Sequence, residues 1–468
     1  MKVLLLNPPG SWRYSRDYFC GKVVKADYFE HPVDLLFLSG ILKQEHQVSF
    51  IDCIVRGLSP DAALDAIMHA SPDAIVFLSG LVSFHEDSVF MKRVRSALPM
   101  TKLIGMGDIF LEPEALRESP WIDATIRDFT SSDLLAWLSG RFSDVSTMDF
   151  RLNEKIVSSR PAVPARDFSI PTPDQKMFLS RKYKFPFARF HPFATLLTDF
   201  GCPFHCRFCI YGTLGYRRRG VGEVRTELSE LRKLSVREIF VKDQCFGADR
   251  ERGLALCRTF AELGPFSWSC FMRADRADRE VLSKMRDSGC HTIMFGVESA
   301  NSEILKAFDK GMTPADNERA IGLCRDIGIN TVGIFIMGFP GEDEAGCRKT
   351  LEFALRLDCD YASFNLFVPK PATRSRADLR ASGRYTPRYD EILDQSGIAA
   401  IFSFGGLPVS TLEALRAEAI RRFYGRPSYL FKRLLKVRTL FELKMLAASA
   451  KAVCGGSLLR PILERMSG

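Results

Sequence analysis

The sequence predicts an α/β protein made of two successive parallel sheets followed by a helical C-terminal region. Three observations carry this expectation. Up to residue 126, five short apolar runs alternate strictly with helical patterns, the signature of a doubly wound Rossmann or flavodoxin-like domain. From residue 194 to residue 368, six more strand candidates recur with helices between them, which fits a partial TIM-like (β/α)6 barrel. Past residue 375 the strands stop and helical, increasingly basic sequence takes over. The expected division is a first domain over 1–145, a Pro-rich linker over 146–190, the barrel over 191–375 and a C-terminal region over 376–468.

In the first domain, buried strands are expected at 3–6, 48–54, 74–78, 102–105 and 124–126, and helices at 33–43, 60–69, 86–98 and 112–117. Ligands of such sheets lie outside the carboxyl ends of the strands. Those ends carry Asn7-Pro8-Pro9-Gly10, Ser79-Gly80 with Ser83, and Gly105-Met106-Gly107-Asp108. Small residues there allow a large ligand to approach the backbone, although any flavodoxin-like domain offers something similar.

The linker has Pro161, Pro164, Pro171, Pro173 and Pro186, a density that disfavours helix and removes ladder donors. Its aromatics, Phe178, Tyr183, Phe185, Phe187 and Phe190, suit a packed domain junction better than a nucleic-acid surface. In the barrel, strands are expected at 194–198, 238–242, 266–272, 292–297, 332–337 and 361–367. Helices at 279–287 and 314–327 each stop just before a glycine, Gly289 and Gly328, in the manner of a C-cap. A further helix is expected over 412–423.

With 468 residues, 46% of them hydrophobic, the chain can fill two or three cores. Met1 to Leu6 is too short an apolar run for an export signal, and no run approaches the roughly 18 apolar residues of a membrane span. Thirteen cysteines scattered through such a chain are expected as reduced thiols in the cytoplasm. The net charge of +9 is concentrated at the end: from Thr411 to Gly468 twelve Lys and Arg stand against four Glu. Within that tail, residues 426–438 mix cations with Tyr429, Leu430, Phe431, Leu434 and Leu435. This pattern suits either a helix packed on the barrel or one lying on an anionic membrane surface. Nucleic acid is not expected as a partner, since no recognisable binding module is present.

The chemistry is expected at Cys202-Pro-Phe-His-Cys206-Arg-Phe-Cys209, just after the first barrel strand. Three thiolates from one loop can hold three corners of a 4Fe-4S cubane and leave one iron open. Structural zinc closes with four ligands, and the only nearby fourth candidate is His205.

The CxxxCxxC spacing with Phe208 before its last cysteine resembles the radical SAM superfamily. The opening strand into Asn7-Pro8-Pro9, with His31-Pro32-Val33-Asp34-Leu35-Leu36 and Gly40-Ile41-Leu42, is similar to members that carry an N-terminal cobalamin-binding domain. The resemblance covers nearly the whole chain. It implies a 4Fe-4S cluster on Cys202, Cys206 and Cys209 and S-adenosylmethionine (SAM) on the open iron. Cobalamin is implied at the first-domain strand ends, near Pro8, Pro9, Ser79, Ser83, Gly105 and Gly107.

The same resemblance implies that Phe208 and Asp243 serve the SAM site, with Asp243 at the methionine ammonium, and that Arg273 lies near the methionyl part. Glu298, assisted by Ser299, would meet the ribose, and the strand with Gly333 and Gly338 would lie against adenine. The chain departs from the family at several points. Gly105-Met106-Gly107 replaces a Gly-Gly, Arg127-Asp128 stands for a Gly-Glu, Gln244 replaces a second acid and Ala372 a glycine. No Asp-x-His-x-x-Gly is present to give cobalt a lower histidine, so cobalamin is expected without one.

The implied activity is SAM-dependent radical functionalisation, foremost methylation, of an unactivated carbon in a small hydrophobic substrate, with a flavodoxin or ferredoxin as electron donor. Cyclisation, carbon–carbon coupling or anaerobic oxidation is the alternative within the family, a first domain kept only as scaffold is another, and a non-enzymatic cobalamin or iron–sulfur sensor lies outside it.

Overall fold

The computed structural model describes residues 1–16, 29–153, 155–158, 167–386 and 406–436. Pro161, Pro164 and the basic stretch beyond residue 436 lie outside them.

The first seven strands are β1 (Lys2–Asn7), β2 (Gln47–Asp52), β3 (Ala74–Leu78), β4 (Lys102–Met106), β5 (Ala124–Ile126), β6 (Met148–Leu152) and β7 (Lys155–Ser158). They form one sheet in the order β2-β1-β3-β4-β5-β6-β7, and β1 to β5 are parallel. Alternate side chains serve opposite faces: Val3 and Leu5 enter one core, Leu4 and Leu6 the other. Helices Val33–Leu42, Pro60–Ala70 and Phe84–Ala97 cover the sheet where the apolar patterns place them.

The antiparallel pair β6 and β7 corrects the expected linker, because the sheet continues past residue 145. Met148 and Phe150 are buried while Lys155, Val157 and Ser158 face solvent. That alternation marks an edge hairpin, and the prolines of the linker only begin after it.

A small sheet of β8 (Asp167–Phe168), β10 (Asp199–Phe200) and β11 (Arg217–Arg219) joins the linker to the loop that bears the cysteines. The second large sheet contains β9 (Phe193–Leu196), β12 (Glu238–Val241), β13 (Ser267–Met272), β14 (Cys290–Glu298), β15 (Asn330–Met337) and β16 (Tyr361–Leu366). All six are parallel and neighbour one another in chain order.

The sheet curls around its own side chains. Phe193, Phe240, Met294 and Val332, from four different strands, share one core with Tyr183, Phe185 and Ala188 of the linker. The Phe187 ring lies 4.9 Å from that of Tyr361 on the last strand, and the Phe185 ring 4.3 Å from Phe240 on the second. Linker aromatics therefore plug the barrel from within, which is why they read as a junction. Gly289 (φ 99°) and Gly328 (φ 83°) follow their helices in the left-handed region, as the C-cap pattern predicts.

The two halves share apolar cores. Leu197, Phe200, Ile210 and Tyr211, which flank the cysteines, are buried with the first sheet's Val3, Leu5 and Val76. Phe339 and Phe367 just after barrel strands, and Phe308 after the helix Ser302–Ala307, are buried with Phe77 and Phe110. The cysteine loop is thus seated between two sheets, facing the carboxyl ends of the first. All eight described cysteines outside the motif are buried and unpaired by disulfide.

Candidate active site

The cysteine loop is fastened at every turn. Asp243, at the end of β12, accepts the Thr198 amide at 2.6 Å, the Asp199 amide at 3.0 Å and the Thr198 hydroxyl. Gly201 (φ 73°) lies so close to the Gly215 carbonyl that a Cβ would fall 1.6 Å from it. The Arg207 amide donates to the Phe308 carbonyl and its own carbonyl accepts from Ser375, both at 3.0 Å. Within the loop the Cys209 amide donates to the Cys206 carbonyl at 3.0 Å.

Cys202, Cys206 and Cys209 are each part-exposed at the residue level. Burial pushes all three thiols up, Cys202 to about 12, with Cys245 and then Cys209 and Cys206 adding to the rise at Cys202. Among the described residues no three His, Cys, Asp or Glu side chains close on a single metal ion. A cubane does not ask them to, because each thiolate takes its own iron.

Several sequence-predicted residues gather around the thiols. Arg273 Nη1 lies 3.9 Å from Cys206 Sγ, and its guanidinium stacks 3.7 Å from the centre of the Phe204 ring and is held by Asp275. The Phe208 ring contacts Phe308 and Phe339. Glu298, buried at the end of β14, pairs with Lys310 at 2.8 Å. Ser299 donates to Glu342 Oε1 at 3.3 Å, while Glu342 Oε2 accepts the Gly338 and Phe339 amides at 2.8 and 3.2 Å. Gly338 (φ 78°) has the conformation that only glycine adopts freely.

Two positions differ from the expectation. Asp243 turns both oxygens onto the Thr198 turn, so here it shapes the loop. Gly333 faces the helices: a Cβ there would meet the Phe335 ring at 2.8 Å and Cys359 Sγ at 3.1 Å. Strand alternation explains this, since its neighbours Val332 and Ile334 take the interior. Sequence reading missed Lys310 and Glu342; the acid four residues after Gly338 was the available signal for the latter.

The expected strand-end contacts of the first domain are used internally. Arg16 donates to the Pro8 and Pro9 carbonyls at 2.9 and 3.3 Å and pairs with Asp87 at 2.7 Å. Ser79 and Ser83 both donate to Asp87 Oδ2, at 2.7 and 2.6 Å. A Cβ on Gly105 would strike the Phe110 ring at 2.4 Å, and one on Gly107 the Ser79 carbonyl at 2.1 Å. These small residues make room for the protein's own atoms.

The open space lies further along the same sheet edge. A cleft of about 1030 Å³ is lined by Thr130, Ser131 and Ser132 after β5, by Ser146 and Thr147 before β6, and by linker residues 169–172. Its opposite wall is Phe200, Thr213, Leu214 and Arg217, which flank the cysteines, with Ala372. Arg217 ties the walls together through Asp128 at 2.5 Å and Thr130 at 2.8 Å. Sequence reading passed over this cleft, for which the hydroxyl-rich run at 130–132 was the available signal.

The radical SAM superfamily profile matches residues 198–354, which hold the cysteine loop and β12 to β15. An uncharacterised methyltransferase of Pyrococcus horikoshii is 31% identical over 389 residues, covering 80% of this chain and 82% of that protein. The chain belongs to the radical SAM superfamily. Membership makes it a radical SAM enzyme, and the matched span includes the loop at Cys202 to Cys209. Another relative, the anaerobic magnesium-protoporphyrin IX monomethyl ester cyclase of Cereibacter sphaeroides, is 24% identical; the match covers 81% of this chain and 60% of that protein. The radical SAM methyltransferase TsrM from Kitasatospora setae, solved with cobalamin and a 4Fe-4S cluster, shares the fold with a TM-score of 0.69 at 16% identity, over 97% of this chain and 99% of that one.

Proposed function

We propose that this radical SAM enzyme is a cobalamin-dependent methyltransferase acting on an unactivated carbon of a small, hydrophobic molecule. The observation that carries the reading is the shared cleft: one wall belongs to the strand ends of the first sheet and the other to the flanks of the cysteine loop. Its volume of about 1030 Å³ is at the upper end of the range for small-molecule sites, as a corrinoid requires. Hydroxyls at Thr130, Ser131, Ser132 and Thr147 offer donors and acceptors to a ligand rich in amides.

When bound, the cluster supplies the electron that cleaves SAM to a carbon radical, and cobalamin supplies the methyl carrier. The protein's part is placement. Cys202, Cys206 and Cys209 would hold the cluster, Arg273 and Lys310 bring positive charge to it, and Glu298 and Ser299 stand at the strand end where the ribose is expected. The packed aromatics Phe208, Phe308, Phe339 and Phe367 keep water from this end of the barrel. A flavodoxin or ferredoxin is the proposed electron donor. Incubation with SAM carrying an isotopic label in its methyl group tests the reading: the label appears in the product if a methyl is transferred. A product without label favours the second reading, radical cyclisation or oxidation, which the relative of the Cereibacter cyclase type supports.

No helix among the described residues is long and apolar enough to cross a membrane. The helix Pro427–Lys436 nonetheless exposes Phe431 and Leu435, four residues apart on one face. We propose that this face rests on anionic lipid, where each nearby Lys or Arg adds about 1 kcal/mol. Sedimentation with anionic liposomes should weaken on deletion of residues after Gly425 and in high salt; binding unchanged by both contradicts it.

A further inference from the structure

Two buried cations lie against the cysteine loop. Arg273 reaches the Cys206 sulfur at 3.9 Å, with its own charge answered by Asp275 at 3.0 Å. The second is Lys310, buried 5.9 Å from the centre of the Phe208 ring and 2.8 Å from Glu298 Oε1. The Phe308 carbonyl, two residues before Lys310, accepts the Arg207 amide at 3.0 Å, which seats this turn against the cysteine loop.

The backbone is bent to make this arrangement. Glu298 has φ 64°, a left-handed conformation that strains a non-glycine residue, and the pairing register between β14 and β15 slips between Gly296 and Glu298. Gly296 gives up its side chain for the pair: a Cβ there would fall 2.5 Å from Glu298 Oε1 and 2.9 Å from Lys310 Nζ. After the helix Ser302–Ala307 the chain turns through Asp309 (φ 52°) and Gly311 (φ 63°), which carries Lys310 back toward the cysteine loop. A buried ion pair is a weak source of stability compared with apolar residues of the same size. Strain and buried charge kept together at a strand end mark a functional use.

We propose that Lys310 is a positioning residue that sets the reduction potential of the iron–sulfur cluster: its ammonium, fixed by Glu298, stabilises the electron-rich state. The inference rests on the cluster reading of the three cysteines. Reduction adds one negative charge to the cluster, so a nearby cation raises the potential and a nearby anion lowers it. Lys310 and Glu298 therefore act with opposite signs.

The test is an anaerobic redox titration of the reconstituted full chain, without SAM, followed by electron paramagnetic resonance, with iron content measured on each sample. Lys310→Met should move the midpoint to a more negative value and Glu298→Gln to a more positive one. The double variant should return toward the wild type, and Lys310→Arg should stay near it. If Lys310→Met does not load the cluster, the positive shift in Glu298→Gln carries the test alone. Midpoints that do not move in variants with wild-type iron content overturn the proposal and confine Lys310 to binding SAM or to packing. Wild-type protein that takes up no iron overturns the cluster reading instead.

Discussion

Asp243 is buried beside Asp199, and its carboxyl is pushed up to about 7, first by burial and then by the neighbouring carboxylate. A raised folded value means that the native state holds this proton more tightly than the unfolded chain does. The stability it contributes is complete below the unfolded value of 3.8 and is lost as pH rises through about 7. Asp243→Asn, which keeps one acceptor oxygen for the Thr198 and Asp199 amides and turns an NH2 donor toward the Thr198 hydroxyl oxygen, should flatten the dependence of thermal stability on pH between about 4 and 7. A slope unchanged in the variant counts against this account of the turn. Ala372 is a second informative residue: at φ 55° it occupies the left-handed region beside the cleft, where the family pattern has glycine. Ala372→Gly removes an αL cost of about 1 kcal/mol but makes the unfolded chain more flexible. A net gain of roughly 0.5 kcal/mol in denaturant unfolding is expected.

At the scale of elements, the strands were legible because parallel strands covered on both faces read as unbroken apolar runs. All five expected in the first domain and all six of the barrel stand within two residues of their expected starts. The edge hairpin β6 and β7 was hidden, since residues 146–158 were read by the composition of the linker that follows them and not by their own alternation. Side-chain roles were less legible for a different reason. Ser79, Ser83 and Gly107 were correctly placed at strand ends, but whether a small residue serves a ligand or a neighbouring element depends on distances set by the fold. Gly107 and Gly57 illustrate this. Gly107 (φ 130°) would drive a Cβ to 2.1 Å from the Ser79 carbonyl, whereas Gly57 (φ 67°) has nothing within 4 Å. Gly107→Ala should cost about 3 kcal/mol and Gly57→Ala about 1, by chemical denaturation. Equal losses would mean that β3 and β4 do not meet so closely in solution. Lys310 could not be found by spacing, because only the turn through Asp309 and Gly311 brings it to Glu298.

Across the whole molecule, the first sheet and the barrel are held in one relation by charge as well as by shared cores. Glu112, from the first domain, lies 3.0 Å from Arg376 and 3.4 Å from Arg380 on the helix Arg374–Ala381 that follows the barrel. The same helix receives Arg207 from the cysteine motif through Asp378 at 2.5 Å. Arg376 is buried, so Glu112→Ala leaves its guanidinium uncompensated and should destabilise the chain by about 3 kcal/mol. Limited proteolysis of that variant should cut between the halves sooner than in the wild type, and an unchanged cleavage rate would assign the joint to the apolar cores alone. The clamp and the cleft together fix the distance between the hydroxyl-rich edge of the first sheet and the cysteines, on which the proposed methyl transfer depends.

All of this has its starting point in the proposal that three thiols hold a cluster and leave one iron open to SAM. Protein reconstituted anaerobically with iron and sulfide, then reduced in the presence of SAM, should hold about four irons per chain and release 5'-deoxyadenosine. The variant with Cys202, Cys206 and Cys209 all replaced by alanine should do neither. Iron-free wild-type protein, or 5'-deoxyadenosine formed at the wild-type rate by the triple variant, would contradict it.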